Sequence, residues 1–239
     1  MKYFFSAPAQ NTDLLKREGA ENFLCSYVVS PKEYKHFLGT HKSIIIDSGA
    51  FSAWNSGKVV DIEKYISYCQ NLDPDWTFIN LDVIPKTGSS KQEIERCIEQ
   101  GKENFLYIKT KIKNVLPVYH YGEDLSVLKW YMEHCDYIGI SPANDTHEKV
   151  KRAFLDSVFD ITRDKIKCHG LGYSSFSGML RYPFYSVDSI SFKRYRFKDN
   201  IFIPTTKNLE WFMAKNARKF IRQEKFVTRV WKERGIEWK

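Results

Sequence analysis

Three aspartates fall at comparable places in this chain. Asp47 ends the apolar run Ile44-Ile45-Ile46, Asp82 ends Phe78-Ile79-Asn80-Leu81, and Asp188 follows Tyr185-Ser186-Val187. A carboxylate at the end of a buried strand is costly to desolvate unless hydrogen bonds or cations offset the loss of water, so three of them are hard to explain by stability alone. Paired carboxylates at one site have a known chemistry: one attacks a glycosidic carbon as nucleophile and the other serves as general acid and base. Structural roles compete with this reading. Asp47 and Asp82 stand where an aspartate can cap a following helix or close an Asx turn before Pro85, and Asp188 sits among Ser186, Ser189 and Ser191.

Other polar or small residues cluster near strand-like ends. His120 lies in Pro117-Val118-Tyr119-His120-Tyr121-Gly122, and Ile138-Gly139-Ile140-Ser141-Pro142 offers backbone amides. His169 and Gly170 lie in Cys168-His169-Gly170-Leu171-Gly172-Tyr173, whose glycines permit close backbone approach. Both histidines can equally serve as structural residues. Phe51, Trp54 and Tyr173 are candidate walls for a flat aromatic ligand, and each is equally a core candidate. The five cysteines are odd in number and scattered, with no C-x-x-C pair, which points to a reducing compartment and away from a zinc knuckle.

These groups need a frame that brings strand ends together. Strand-like runs span residues 2–7, 43–48, 77–83, 115–120, 137–141, 166–172 and 184–191, with 23–29 as a possible eighth. Helical spacing fills 61–72, 91–109, 125–135 and 147–159. Strand and helix alternate, as parallel strands with crossover helices require, and the number of repeats favours a (β/α)8 TIM-like barrel. Its strand C-termini would gather all three acids on one face. An open flavodoxin-like or Rossmann sheet is the alternative, although no strand leads into G-x-G-x-x-G and no P-loop is present. The expected organisation is a barrel over 1–206 and a basic helical extension over 207–239 that packs on the same domain.

The chain has 239 residues, 43% apolar and 15% aromatic, and no apolar run reaches the length of a membrane span. The short apolar start at residues 3–5 reads as a first strand rather than a signal peptide. With scattered cysteines, the expectation is a cytoplasmic protein. Lys and Arg number 37 against 29 Asp and Glu, and the net charge of +8 favours an anionic partner such as nucleic acid.

The order of these motifs resembles the tRNA-guanine transglycosylase superfamily: D-S-G-A-F after an apolar strand, an L-D strand end, a strand ending near H-x-G, then I-G-I, H-G-L-G and V-D-S. The likeness covers roughly residues 43–192, and D-S-G-A-F-S-A-W looks most like the short phage and bacterial DNA branch, which inserts 7-deazaguanine bases such as preQ0. The resemblance implies that Asp188 attacks C1′ of the target nucleotide, Asp47 acts as acid and base, and Asp82 hydrogen-bonds the base edge. It places Ser48 and His120 among the base-binding side chains, Gly139 and Ile140 among the backbone contacts, and Gly49, Phe51, His169 and Gly170 around the base. Two departures bear on the substrate. His120 stands where the tRNA enzymes have glutamine, and their C-x-C-x-x-C zinc cluster has no counterpart here. No metal or cofactor is expected. The expected partners are DNA and a free 7-deazaguanine base, and Lys193, Arg194, Arg196 and Lys198 would meet phosphates flanking a flipped nucleotide, unless that run is a solvated loop. RNA as acceptor, a nucleoside hydrolase or base-excising glycosylase, and a non-catalytic DNA-binding module remain the competing readings.

Overall fold

β-branched and aromatic residues dominate the short strands, as half-buried pleated surfaces favour. The strands are β1 (Lys2–Ser6), β2 (Asn22–Ser26), β3 (Ser43–Asp47), β4 (Thr77–Ile79), β5 (Val115–Leu116), β6 (Val118–His120), β7 (Tyr137–Ser141), β8 (Lys167–Gly170) and β9 (Ser186–Ser189). This computed structural model describes residues 1–6, 11–29, 43–86, 88–142, 146–193 and 206–238. Every observed pairing is parallel, in the order β5-β4-β3-β2-β1-β9-β8-β7-β6.

The two ends of that order, β5 and β6, are consecutive in the chain, so the sheet curls into a nearly closed barrel of nine parallel strands. One continuous strand over 115–120 was expected, and Pro117 divides it. Proline has no N–H to give to a ladder, and the break falls there for that reason. Its carbonyl still accepts the Gly139 N–H at 2.8 Å, which stitches the seam.

Helices α1 (Thr12–Arg17), α2 (Ala50–Asn55), α3 (Ile62–Gln70), α4 (Lys91–Lys109), α5 (Leu125–His134), α6 (Glu148–Thr162), α7 (Phe176–Arg181) and α8 (Thr206–Glu233) accompany the strands. The four internal helices expected from spacing are present within a few residues. α1 and α7 escape a periodicity analysis because six residues show fewer than two turns. Asp61 caps α3 through the Glu63 and Lys64 amides, and Ser90 with Glu93 forms a capping box on α4. On α8 the buried Met213, Ala217, Phe220, Val227 and Trp231 recur at three-, four- and seven-residue steps and join the core between strands and helices. Phe220 stacks on Tyr3 of β1 at 4.7 Å, and the Trp231 indole donates to the Met179 carbonyl at 2.8 Å. No helix among the described residues is long and apolar enough to cross a membrane.

Strand alternation sorts the side chains into two layers. Phe4, Leu24, Ile45, Ile79, Leu116 and Val118 fill the barrel interior, and the larger outer core holds Tyr3, Phe5, Ile44, Ile46 and their helix partners. Ile45 points inward, and two residues on so does Asp47; the same parity turns Ser6 inward after Phe4. Asp188 pairs with Phe4 across the β1–β9 ladder and therefore shares its face. Asp82 departs from expectation, because β4 ends at Ile79 and the acid stands three residues beyond it.

Gly49 starts α2 from the left-handed region at φ 74°, and a Cβ there would lie 2.5 Å from Val28 Cγ2 and 2.7 Å from Val28 Cβ. Gly49→Ala is expected to lower stability by about 2 kcal/mol, the sum of backbone strain and overpacking. Urea denaturation measures this. Adding Val28→Ala should recover the overpacking share, and no loss in the single variant would mean that this turn tolerates a side chain.

Candidate active site

Asp188 ends the inner row of β9 and is only 6% exposed. Both of its oxygens meet donors: Ser6 Oγ donates to Oδ2 at 2.5 Å and the Gly172 amide donates to Oδ1 at 2.8 Å. Such bonds replace the water that burial removes from a carboxylate. The glycine-rich stretch after β8 is what lets a backbone N–H reach the acid.

One level below, His169 is fully buried. Its Nδ1 lies 2.6 Å from Ser186 Oγ, which in turn lies 2.5 Å from the Tyr137 hydroxyl. Burial holds the Tyr137 hydroxyl well above the usual phenol range, so it remains an O–H that can serve this chain. His169 Nε2 stands 3.3 Å from Asp188 Oδ1 but out of line for a hydrogen bond, which leaves that nitrogen without a hydrogen-bond partner. His169, expected beside a ligand, instead backs Asp188 from inside the barrel, with Phe4 edge-on to its ring at 5.8 Å.

Asp47 accepts the Gly49 amide at 3.1 Å and caps no first-turn amide of α2. Burial pushes its carboxyl up to about 6, a shift that the Gly49 N–H opposes and the charge of Asp188 reinforces. Burial also pushes Asp82 up to about 7; His120 and the Asn80 side chain oppose this, while Glu123 and Asp47 add to it. The three acids therefore sense one another in the order Asp188, Asp47, Asp82. Two of them are raised into the range where a carboxyl can both hold and release a proton near neutral pH.

Asp82 belongs to a second group. His120 Nε2 lies 3.5 Å from Asp82 Oδ2, and His120 Nδ1 lies 3.2 Å from Glu123 Oε1. Glu123 Oε2 also accepts the His120 backbone N–H at 3.1 Å, so one carboxylate grips both the ring and the main chain. Burial lowers the imidazole pKa, but the Glu123 hydrogen bond and the charges of Asp82 and Glu123 outweigh it and the net shift is upward. Asn80 Nδ2 donates to Asp82 Oδ1 at 3.1 Å and to the Gly101 carbonyl at 3.0 Å.

These residues edge a cavity of about 270 Å³ whose apolar wall includes Pro85, Ile94, Ile98, Val118 and Tyr131. That is just below the usual range for drug-sized ligands and suits one small ring system. A cavity of about 330 Å³ opens at the opposite mouth, between Lys2, Lys109, Lys113, Lys167, Asp75 and Asp136, and contains none of the three acids. Of the three acids only Asp82 lines the smaller cavity; Asp47 and Asp188 line neither.

Several expected site residues make contacts within the fold. Ser48 is buried and donates to the Asn80 carbonyl at 2.9 Å, tying the β3 end to the segment that carries Asp82. Phe51 is 65% exposed on α2 and stacks with Trp54 at 6.0 Å. Gly139 and Ile140, expected to offer backbone contacts to a base, make two such contacts within the fold: the Gly139 N–H donates to the Pro117 carbonyl and the Ile140 carbonyl accepts the Leu171 N–H. A Cβ on Gly139 would meet Val118 and Leu171 at 3.1 and 3.2 Å, and one on Gly170 would meet Phe184, Tyr173 and Val187 within 3.2 Å, so both glycines serve packing. Tyr173 is core, tilted against Phe184 at 5.2 Å. Lys193 lies over the Phe192 ring, and burial lowers its pKa. Arg194, Arg196 and Lys198 lie outside the described residues.

Ser6, Asn80, Glu123, Tyr137 and Ser186 went unrecognised in the sequence. Glu123 left a faint signal: it follows His120 by three residues across Gly122, whose φ of 95° turns the chain back. Neither a protein-family model nor a curated protein matches the sequence.

Two outcomes follow from the electrostatics. Asp47 titrates at 3.8 when unfolded and about 6 when folded, so the folded protein binds the extra proton between those values and stability is lost as pH rises through that window. Asp47→Asn should therefore stabilise the protein on the order of 2 kcal/mol at pH 8 and by little at pH 4, as read by calorimetry; equal gains at both would contradict the raised value. NMR titration should place His120 above an ordinary histidine, and Glu123→Gln should bring it down.

Proposed function

We propose that this protein is a DNA-guanine transglycosylase that exchanges guanine in DNA for a free 7-deazaguanine base such as preQ0. The observation that carries the reading is the pairing of Asp188, both oxygens held by donors, with Asp47, a neighbouring acid raised to about 6. On this reading the nine strands form a (β/α)8 barrel in which β5 and β6 count as one strand, and the acids occupy its catalytic face.

A carboxylate oxygen of Asp188 bonds to C1′ of the target nucleotide as the C1′–N9 bond breaks. The electron pair goes to N9 of guanine, which takes a proton from Asp47 as it leaves. The incoming base then returns its N9 proton to Asp47 and attacks C1′, expelling Asp188. The proton borrowed in the first half is repaid in the second, so the exchange needs no water and no redox partner. Ser6 and the Gly172 amide hold Asp188 in line, and the His169–Ser186–Tyr137 chain supports it from below. Asp82, fixed by Asn80 and faced by His120, meets the base edge at the mouth of the 270 Å³ cavity. A zinc site of the kind carried by the tRNA enzymes does not fit these residues: Cys25, Cys69 and Cys168 are buried on separate strands or helices, and no metal-holding group of His, Cys, Asp or Glu occurs among the described residues.

The target base must leave its stack to reach a carboxylate this enclosed. The test is incubation of duplex and single-stranded DNA with radiolabelled guanine or preQ0. Label should enter DNA, and Asp188→Asn should cut entry at least a thousandfold while leaving the fold intact. Release of free base without label entry would make the protein a hydrolase, label entering RNA instead would reassign the acceptor, and undiminished entry with Asp188→Asn would remove the nucleophile.

A further inference from the structure

We propose that the groove between α7 and α8 binds the single-stranded DNA that flanks the reacting nucleotide. The choice of DNA rests on the proposed exchange reaction; the groove itself is read from geometry and charge. The face of α8 opposite its buried stripe presents Lys215, Arg218, Lys219 and Arg222 to solvent. These four bound a depression of about 590 Å³ together with Phe176 of α7 and Phe226 of α8.

The two phenylalanines are 37% and 41% exposed, with ring centroids 6.0 Å apart. Trp211, 54% exposed, extends the same helix face one turn before Lys215, whose ammonium lies 4.9 Å from the indole centroid. Exposed aromatic faces beside a row of cations are what a single strand requires: bases stack on the rings and phosphates meet the lysines and arginines. A duplex offers no free base faces to such rings. Arg218 is held by Glu18 at 2.7 Å, which fixes its position beside the groove.

The groove also lies where a flanking strand would pass. α7 follows directly on the Leu171–Ser175 segment, whose Gly172 amide holds Asp188. On the other side, Asn216 of α8 donates at 3.0 Å to the Phe192 carbonyl, in the 3₁₀ turn that comes right after β9. Both walls are thus anchored to the two segments that carry and orient Asp188.

Fluorescence anisotropy with a labelled 12-nucleotide DNA strand, on the full chain at several salt concentrations, tests this. Wild type should bind, and the Lys219→Ala/Arg222→Ala double variant should bind at least tenfold more weakly, with the slope of log K against log salt reduced by about 1.4. Phe226→Ala should weaken binding about tenfold with the slope unchanged. Binding and base exchange are read separately: if DNA binds this way but no base is exchanged, the groove stands and the exchange reading falls. Unchanged binding in both groove variants, equal or tighter binding of the duplex, or tighter binding of the RNA strand of the same sequence would overturn the proposal.

Discussion

The hydrogen bond from Ser6 to Asp188 joins the first and last strands of the chain at the rim of the barrel, across 182 residues of sequence. The rest of the site depends on that closure. Only when β1 lies beside β9 does Phe4 stand level with Asp188 and seal the interior beneath it, and only then does a serine reach the second carboxylate oxygen. An acid that is 6% exposed survives in such a place because each oxygen has a donor. Closure therefore creates both the low-dielectric setting and the polar contacts that make it tolerable.

From that point the electrostatics spread along the rim. Burial raises both Asp47 and Asp82, and the charge of Asp188 adds to the first rise as that of Asp47 adds to the second. Two buried acids whose proton affinities are raised, Asp47 and Asp82, are a burden on the folded state as pH rises past 6, which a protein selected only for stability would not carry. His120 and Glu123 oppose each other's influence on Asp82, one lowering its pKa and the other raising it. The site divides into one buried carboxylate held by neutral donors and two carboxyls with raised proton affinity, a difference set by the surroundings of chemically identical side chains.

Much of the frame was legible in the residues. The alternation of short β-rich runs with amphipathic stretches pointed to parallel strands, whose C-terminal ends would gather the acids on one face. The helices at 91–109 and 125–134 were legible through their apolar spacing. Less was legible where chemistry depends on depth. His169 has the inward parity expected of a site residue, but its register opposite Ser186 puts it a level below Asp188, where it meets Tyr137 rather than a ligand. Gly170 and Gly139 read as openings for a substrate, and the structure uses them to seat Phe184, Val118 and Leu171. Glycine reports that something comes close; it does not report what.

What the sequence determined by itself was local: which short runs are strand-like, which stretches carry helical spacing, and that three acids end three strand-like runs. These follow from backbone geometry within a few residues. The tertiary structure decided everything that requires two distant segments to be measured against each other. It set Ser6 against Asp188, Glu123 with Asp82 around His120, and α8 along the outer core with its cations turned away from it. Proximity and desolvation arise only from chain closure and strand register, so the raised pKa values of Asp47 and Asp82 are a property of the fold rather than of the local sequence.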